Sequence, residues 1–459
     1  MASPNLNWNV ALAGECMISR PFAMHDDAES MRVIELLRAA DLTYGHLEMN
    51  FAEENELDYP NRGDWLGSFM MSDPVIARDL RWAGFDMMSL AQNHSMDFGP
   101  AGMLSTIKHC RAAGLAVAGT GVDLEAARAP AYCETKHGRV ALISTTSGNK
   151  PNEWASLAKG GFAGRPGINP LRANFKYVLE RDAAEQMKAI ARELDVLREA
   201  DGSTMGTGLK PGEFSFQMPG DQSTRGSNVF SPGEHFEIQS SCHKRDLQGN
   251  LRSIDEGRKM ADFVVVAHHF NIADGKRREK VPMFVREFAH AAIDAGADVY
   301  VAHGWHWCLG IEIYRGKPII YGTGNFFAQS EFIRRVPYDS YESWGHDMDR
   351  LPTLNPADHP LHPGLDKHVE AWWTSALMSL EMKDGQFVRM NLHPVEMGRT
   401  AREGHIDRRT GQGEHALTEG RPLLAKGETA ERTLDRIRRL SRGFGTEMNL
   451  EDGVGVIRF

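Results

Sequence analysis

The sequence predicts an α/β fold of alternating strands and helices, and two observations carry that prediction. Apolar, strand-like runs take turns with amphipathic helical runs along most of the 459 residues, the order expected of layered sheets and helices. Several of these runs also end in side chains that do chemistry, and in open α/β sheets the ligand site lies beyond the carboxyl ends of the strands. Glu15 follows residues 10–14, His46 and Glu48 follow 40–45, and Asn93 with His94 follows 87–92. His268 and His269 follow 264–267, and His303 with His306 follows 299–302. Ends tipped with carboxylate, amide and imidazole predict one shared pocket, and with it an enzyme.

Taken in order, residues 9–13 read as a strand, 28–40 as an amphipathic helix, 42–47 as a second strand and 74–83 as a helix with Pro74 in its first turn. Residues 85–91 form a continuous apolar run, as in a strand buried on both faces. A helix over 99–113 closes at Gly114, and 115–118 and 139–145 are further strands. Asp97 is expected to cap the helix near Gly99, and Asn325 to fix the turn after Tyr321.

From residue 148 the pattern changes. One helix, 181–200, precedes a Gly-, Ser- and Pro-rich stretch over 201–250 with little periodicity. Such a loop is either a lid contributing Phe214, Phe216, Phe230, His235 and His243, or a mobile surface insertion. The α/β pattern resumes with strands at 263–267, 299–302, 310–314 and 318–321 and a helix at 282–295. A second irregular stretch, 331–368, holds Trp344, His346, Asp347, Asp349, Asp358, His359, His362 and His368; without a defined ligand spacing it reads as a solvated loop. Strands at 375–382 and 388–394 and an Arg-rich helix at 430–440 complete the chain.

The 52 Lys and Arg against 62 Asp and Glu give a net charge of −10, with no basic stripe to meet a phosphate backbone, which argues against a nucleic-acid partner. No apolar stretch approaches the ~20 residues that span a bilayer, so no membrane partner is expected. The N-terminus lacks a signal-peptide pattern, and Cys16, Cys110, Cys133, Cys242 and Cys308 are scattered without CxxC pairing. A cytoplasmic protein with reduced thiols is the expectation.

Residues 84–99, GFDMMSLAQNHSMDFG, resemble the "GFDvvsLAnNHalDyG" segment of the CapA family, named for poly-gamma-glutamate capsule synthesis. Residues 40–48 resemble its "aDlvfgNLE", residues 293–326 its "iDaGADlviGhHpHvlqgvEvykGkpIiYslGNF", and residues 420–457 its C-terminal region. The family is similar to calcineurin-like metallophosphoesterases. That resemblance implies a four-layer α/β/β/α sandwich whose core halves are residues 1–147 and 257–330, interrupted by an insertion at 148–256 and completed by 331–459.

Carried over, the resemblance implies metal ligands at Glu15, His46, Glu48, Asn93, His268, His303 and His306, and acid/base groups at His94, His269 and Glu15. One or two divalent ions, Mn, Fe or Zn, suit such donors and lower the pKa of a water to about 7. Glu15 stands where the family has Asp, His46 where it has Asn, and 302–306 departs from Gly-His-His-Pro-His. Fewer anionic ligands favour one ion, or none, over a tight pair.

Three function classes remain. A metal-dependent hydrolase would act on an ester, amide or phosphoester of a small-molecule or peptide substrate; Trp305 and Trp307 beside His306, with Phe270, Phe326 and Phe327, suggest a partly aromatic one. A metal-poor epimerase or lyase would set two groups such as Glu15 and His269 on opposite sides of an acidic carbon. A capsule or polymer-assembly component would need no catalysis. The oligomeric state, a homodimer included, stays open.

Overall fold

The computed structural model describes residues 7–60, 69–200, 209–216, 228–275, 278–330, 333, 337–338, 370–398 and 418–459. The chain forms two compact units, one of Met1–Leu171, Gln248–Asn271 and Ala289–Phe459, the other of Arg172–Leu247 and Ile272–Phe288. Two sheets dominate the first unit. In the larger, Trp8–Met17 lies parallel to Leu42–Leu47, followed by Met87–Ser89 and Ala116–Ala118, all parallel. On its other side Trp8–Met17 runs antiparallel to Thr374–Lys383, which pairs with Gln386–Glu396. The second sheet has Gly138–Thr146, Phe263–His269, Val299–His303 and Lys317–Ile320 in parallel, with antiparallel edge strands Ala131–Thr135 and Ile311–Tyr314.

Strand periodicity decides where the site forms. Val10, Leu12, Leu42 and Tyr44 of the larger sheet share one core with Val265, Ala267, Val299 and Val301 of the smaller. Each Val or Leu among them contributes about 1.5–3 kcal/mol when fully buried. Continuing by two residues along each strand brings His46, His269 and His303 onto the same inter-sheet face. The alternate residues of the first strand, Ala11 and Ala13, pack instead with Val33, Ile34, Leu37, Ile76, Leu80 and Ile107 from helices Ala28–Arg38, Val75–Ala83 and Gly99–Ala112.

Near the site, strand geometry breaks at Glu15. The pairing of Trp8–Met17 with Leu42–Leu47 shifts between Leu12 and Glu15, a bulge that re-aims the carboxylate. A Cβ on Gly14 would stand 2.0 Å from the Gly324 carbonyl oxygen, so only glycine admits the crossing chain.

The second unit differs from the sequence expectation. The helix predicted over 181–200 is Arg181–Glu193; Asp195 takes a left-handed φ of 53°, and Leu197–Glu199 leaves as a strand. The stretch read as aperiodic holds strands Phe214–Phe216, Val229–Gly233 and Glu237–Cys242 and the start of helix Lys244–Met260. These strands are short, and cross-strand aromatic pairs rather than local propensity hold them: Phe214 and Phe216 lie 5.4 and 4.9 Å from Phe230. The His and Asp residues of 331–368 singled out above lie outside the described residues, as do 201–208 and 217–227. The five cysteines are free thiols, and among the described residues no helix is long and apolar enough to cross a membrane.

Candidate functional site

Two groups of side chains meet at the carboxyl ends of these strands. The first is His46, His269 and His303, each contributing one ring nitrogen to a set lying within 4.8 Å of one another. Cross-strand register explains the grouping: His269 is opposite His303 in the smaller sheet, while His46 rises from the larger one. The His46 and His303 rings stack at 3.9 Å and 7°, and His46 Nε2 is 3.0 Å from His269 Nδ1. Behind them, Ser89 Oγ bonds His46 Nδ1 at 2.7 Å, and Tyr44 Oη bonds His303 Nε2 at 2.7 Å.

All three rings are buried, and burial holds each well below the usual imidazole range; His303 and His306 add to the effect on His46, His46 to that on His269, and His269 to that on His303. They are therefore neutral imidazoles, the form that ligates a metal. His269 Nε2 and His303 Nδ1 are buried without a hydrogen-bond partner among the described residues. Buried polar atoms are nearly always satisfied, so these two nitrogens call for a ligand.

The second group is Glu15, Glu48 and His306. Glu15 Oε1 accepts from Gly304 N at 3.0 Å and His306 N at 3.1 Å, pinning the turn after Val299–His303. That turn is constrained: Gly304 has φ 113°, a Cβ there would meet the Phe270 carbonyl oxygen at 2.2 Å, and His306 itself has φ 62°. His306 Nδ1 faces Asn325 Oδ1 at 2.9 Å, Glu15 Oε2 at 3.1 Å and Glu48 Oε2 at 3.7 Å, three oxygens around one ring nitrogen. Its ring packs against Trp372 at 4.3 Å.

His94 stands at the open side with 12% of its side chain exposed, its Nε2 3.9 Å from Glu48 Oε1. Asp97 Oδ2 accepts from His94 Nδ1 and from Met70 N, each at 2.8 Å. Asp97 does not cap the following helix, whose N-cap residue is Phe98 without a side-chain bond. Likewise Asn325, expected to fix a turn, holds His306 and donates to the Trp372 carbonyl at 3.0 Å.

His268 is not brought into either group. Strand alternation turns it to the opposite face from His269, where Nε2 bonds Ser147 Oγ at 2.7 Å and Nδ1 bonds Tyr300 Oη at 2.6 Å. Burial lowers it to about 3. Asn93 is buried in the turn beside His94. Phe270, Phe326 and Phe327 are fully buried core residues, leaving Trp305 and Trp307 half-buried beside His306.

Residue-by-residue reading of the sequence missed Tyr44, Ser89, Asp97 as the partner of His94, and Trp372. Two of these had a signal: Tyr44 shares a strand face with His46, and Ser89 is its cross-strand neighbour. Trp372 had none, since its contact spans 66 positions to His306.

The donor sets fit a divalent ion. One nitrogen from each of the three imidazoles lies within 4.8 Å of the others, close enough to share one ion. The carboxylate group adds the charge that a cation requires.

Several known proteins are similar to this chain. An uncharacterized protein, y4sH, of Sinorhizobium fredii is 29% identical over 459 residues, covering 98% of this chain and 93% of that one. A probable polyglutamine synthesis accessory protein of Mycobacterium tuberculosis is 26% identical over 250 residues, 53% of this chain and 46% of its own length. The capsule biosynthesis protein CapA of Bacillus anthracis is 23% identical over 299 residues, 65% of this chain and 53% of its own. The relatives named for polymer synthesis thus align with only part of the chain. The family model of the bacterial capsule synthesis protein PGA_cap matches residues 9–330, which include the whole smaller sheet and every residue of the two groups, and the chain belongs to that family.

Proposed function

We propose that this PGA_cap-family chain is a metal-dependent hydrolase with a metallophosphoesterase-type α/β/β/α core, acting on an ester, amide or phosphoester of a small-molecule or peptide substrate. The observation that carries the reading is the pair of buried nitrogens without a hydrogen-bond partner among the described residues, His269 Nε2 and His303 Nδ1, on rings grouped with His46. His46, His269 and His303 would hold one ion; Glu15, Glu48 and His306 would hold a second or complete the first. When bound, such an ion supplies Lewis acidity and lowers the pKa of a water to about 7.

The protein's own residues supply the rest. Glu15 fixes the His306 turn through two backbone amides, so the His306 ring is presented in one orientation. Asp97 fixes the His94 ring with its proton at Nδ1, leaving Nε2 at the open side to pass a proton to or from a leaving group. Burial of Glu15, His46 and His303 excludes bulk water from the floor of the site. The family relatives named for polyglutamine synthesis and capsule biosynthesis make amide linkages the first bonds to test.

The test is turnover on a panel of phosphoesters, esters and amides before and after chelation, with add-back of Mn, Fe or Zn. Chelator-sensitive turnover restored by one of these metals is the expected result. Turnover indifferent to chelation would defeat the reading and favour acid/base epimerase or lyase chemistry on the same histidines.

A further inference from the structure

The two nitrogens without a partner among the described residues are the ends of one hydrogen-bonded chain. It runs from His303 Nε2 to Tyr44 Oη at 2.7 Å, on to Ser89 Oγ at 2.7 Å, to His46 Nδ1 at 2.7 Å, and across the ring from His46 Nε2 to His269 Nδ1 at 3.0 Å. The terminal atoms are His303 Nδ1 and His269 Nε2. We propose that Tyr44 and Ser89 are positioning residues that couple these two terminal nitrogens, so that one is an N–H whenever the other is a lone pair.

The coupling follows from counting protons. Two hydroxyls and three neutral imidazoles bring one proton each, and each of the four hydrogen bonds takes one. One proton is left for two ends. If Tyr44 donates to His303, then Ser89 donates to Tyr44, His46 to Ser89 and His269 to His46; His303 Nδ1 is then an N–H and His269 Nε2 a lone pair. Reversing every bond exchanges the two. Burial supports the neutral count: the three rings and Tyr44 are 0–2% exposed, and an added charge there would be costly.

The chain constrains metal binding as well. Ser89 and Tyr44 occupy His46 Nδ1 and His303 Nε2, leaving His46 Nε2 and His303 Nδ1 toward the candidate centre. By the same count these two cannot both be lone pairs while the Tyr44–Ser89 bridge is intact and neutral. An ion that takes both must expel a proton or break the bridge. Cutting the bridge removes that demand, so Tyr44→Phe should lower the number of protons released as an ion binds.

The inference rests on the metal reading above for this second consequence alone, and two readouts separate the claims. In metal-free protein carrying [15N]histidine, ring-nitrogen shifts should show opposite states at His303 Nδ1 and His269 Nε2, with the tie lost in Tyr44→Phe and in Ser89→Ala. In Zn2+ titrations by calorimetry in buffers of differing ionisation enthalpy, the wild type should release about one proton more per ion than Tyr44→Phe. Two lone pairs or two N–H groups at the ends of the wild-type chain would overturn the proposal, as would unchanged shifts and unchanged proton release in both variants. Opposite states without any zinc binding would sustain the chain and defeat the metal reading.

Discussion

The two donor groups meet at the same strand ends yet are built on different physics. His46, His269 and His303 continue the inter-sheet face of three strands; they are fully buried, neutral and tied to one another through Tyr44 and Ser89. Glu15, Glu48 and His306 lie at a bulge, just past a strand end and in a constrained turn, with His306 19% exposed. Regular strands deliver the rigid nitrogen group, and broken geometry delivers the charged one. The difference suits borderline transition metals in the first place and charge compensation in the second.

Substitutions in the nitrogen group should therefore cost both stability and function. His303→Ala removes a ring stacked on His46 and strands the Tyr44 hydroxyl, so unfolding in urea should show a loss of about 2–4 kcal/mol. Metal content by elemental analysis should fall with it. If His303→Ala kept wild-type stability and metal content, the group would not be the floor of the site.

Acid should act next. His268 titrates at about 3 when folded against 6.5 when unfolded. Between those values the unfolded chain holds the extra proton, so stability is complete above pH 6.5 and falls as the pH drops toward 3, by roughly 1 kcal/mol per unit for one such residue. His268→Gln should flatten part of that slope in melts across pH 4–7 while leaving metal content intact; metal loss in that variant would return His268 to the site.

In the carboxylate group, function and stability should separate. Glu15→Gln retains an acceptor for Gly304 N and His306 N but removes the charge facing His306. Melting should shift by only a few degrees, while turnover on the substrate found by the panel drops tenfold or more. Asp97→Asn, the mildest change, leaves an oxygen for Met70 N but loosens the His94 ring. A decrease in kcat of about 10-fold with little change in KM is expected; no change would remove His94 from proton transfer.

The sequence made the regular part of this arrangement legible. His46, His269 and His303 announce themselves because each follows an apolar run, and period-2 alternation, applied to 264–269, separates His269 from His268. Glu15, His306 and Glu48 could be named but not aimed, since a bulge beside Gly324 and a left-handed φ at His306 depend on chain that returns from elsewhere. Asp97 misled because a carboxylate two residues before a helix reads as a cap, whereas tertiary contact gave it to His94 and Met70. Across 172–247, strands of three to eight residues broken by Gly and Pro left no periodicity to read.

The most direct test of the central claim is anomalous diffraction at the zinc edge from crystals equilibrated with Zn2+. A peak within about 2–2.5 Å of ring nitrogens of His46, His269 and His303 is the predicted result, with any second peak at Glu15, Glu48 and His306. Ordered, metal-exposed crystals with no peak at either group would contradict it.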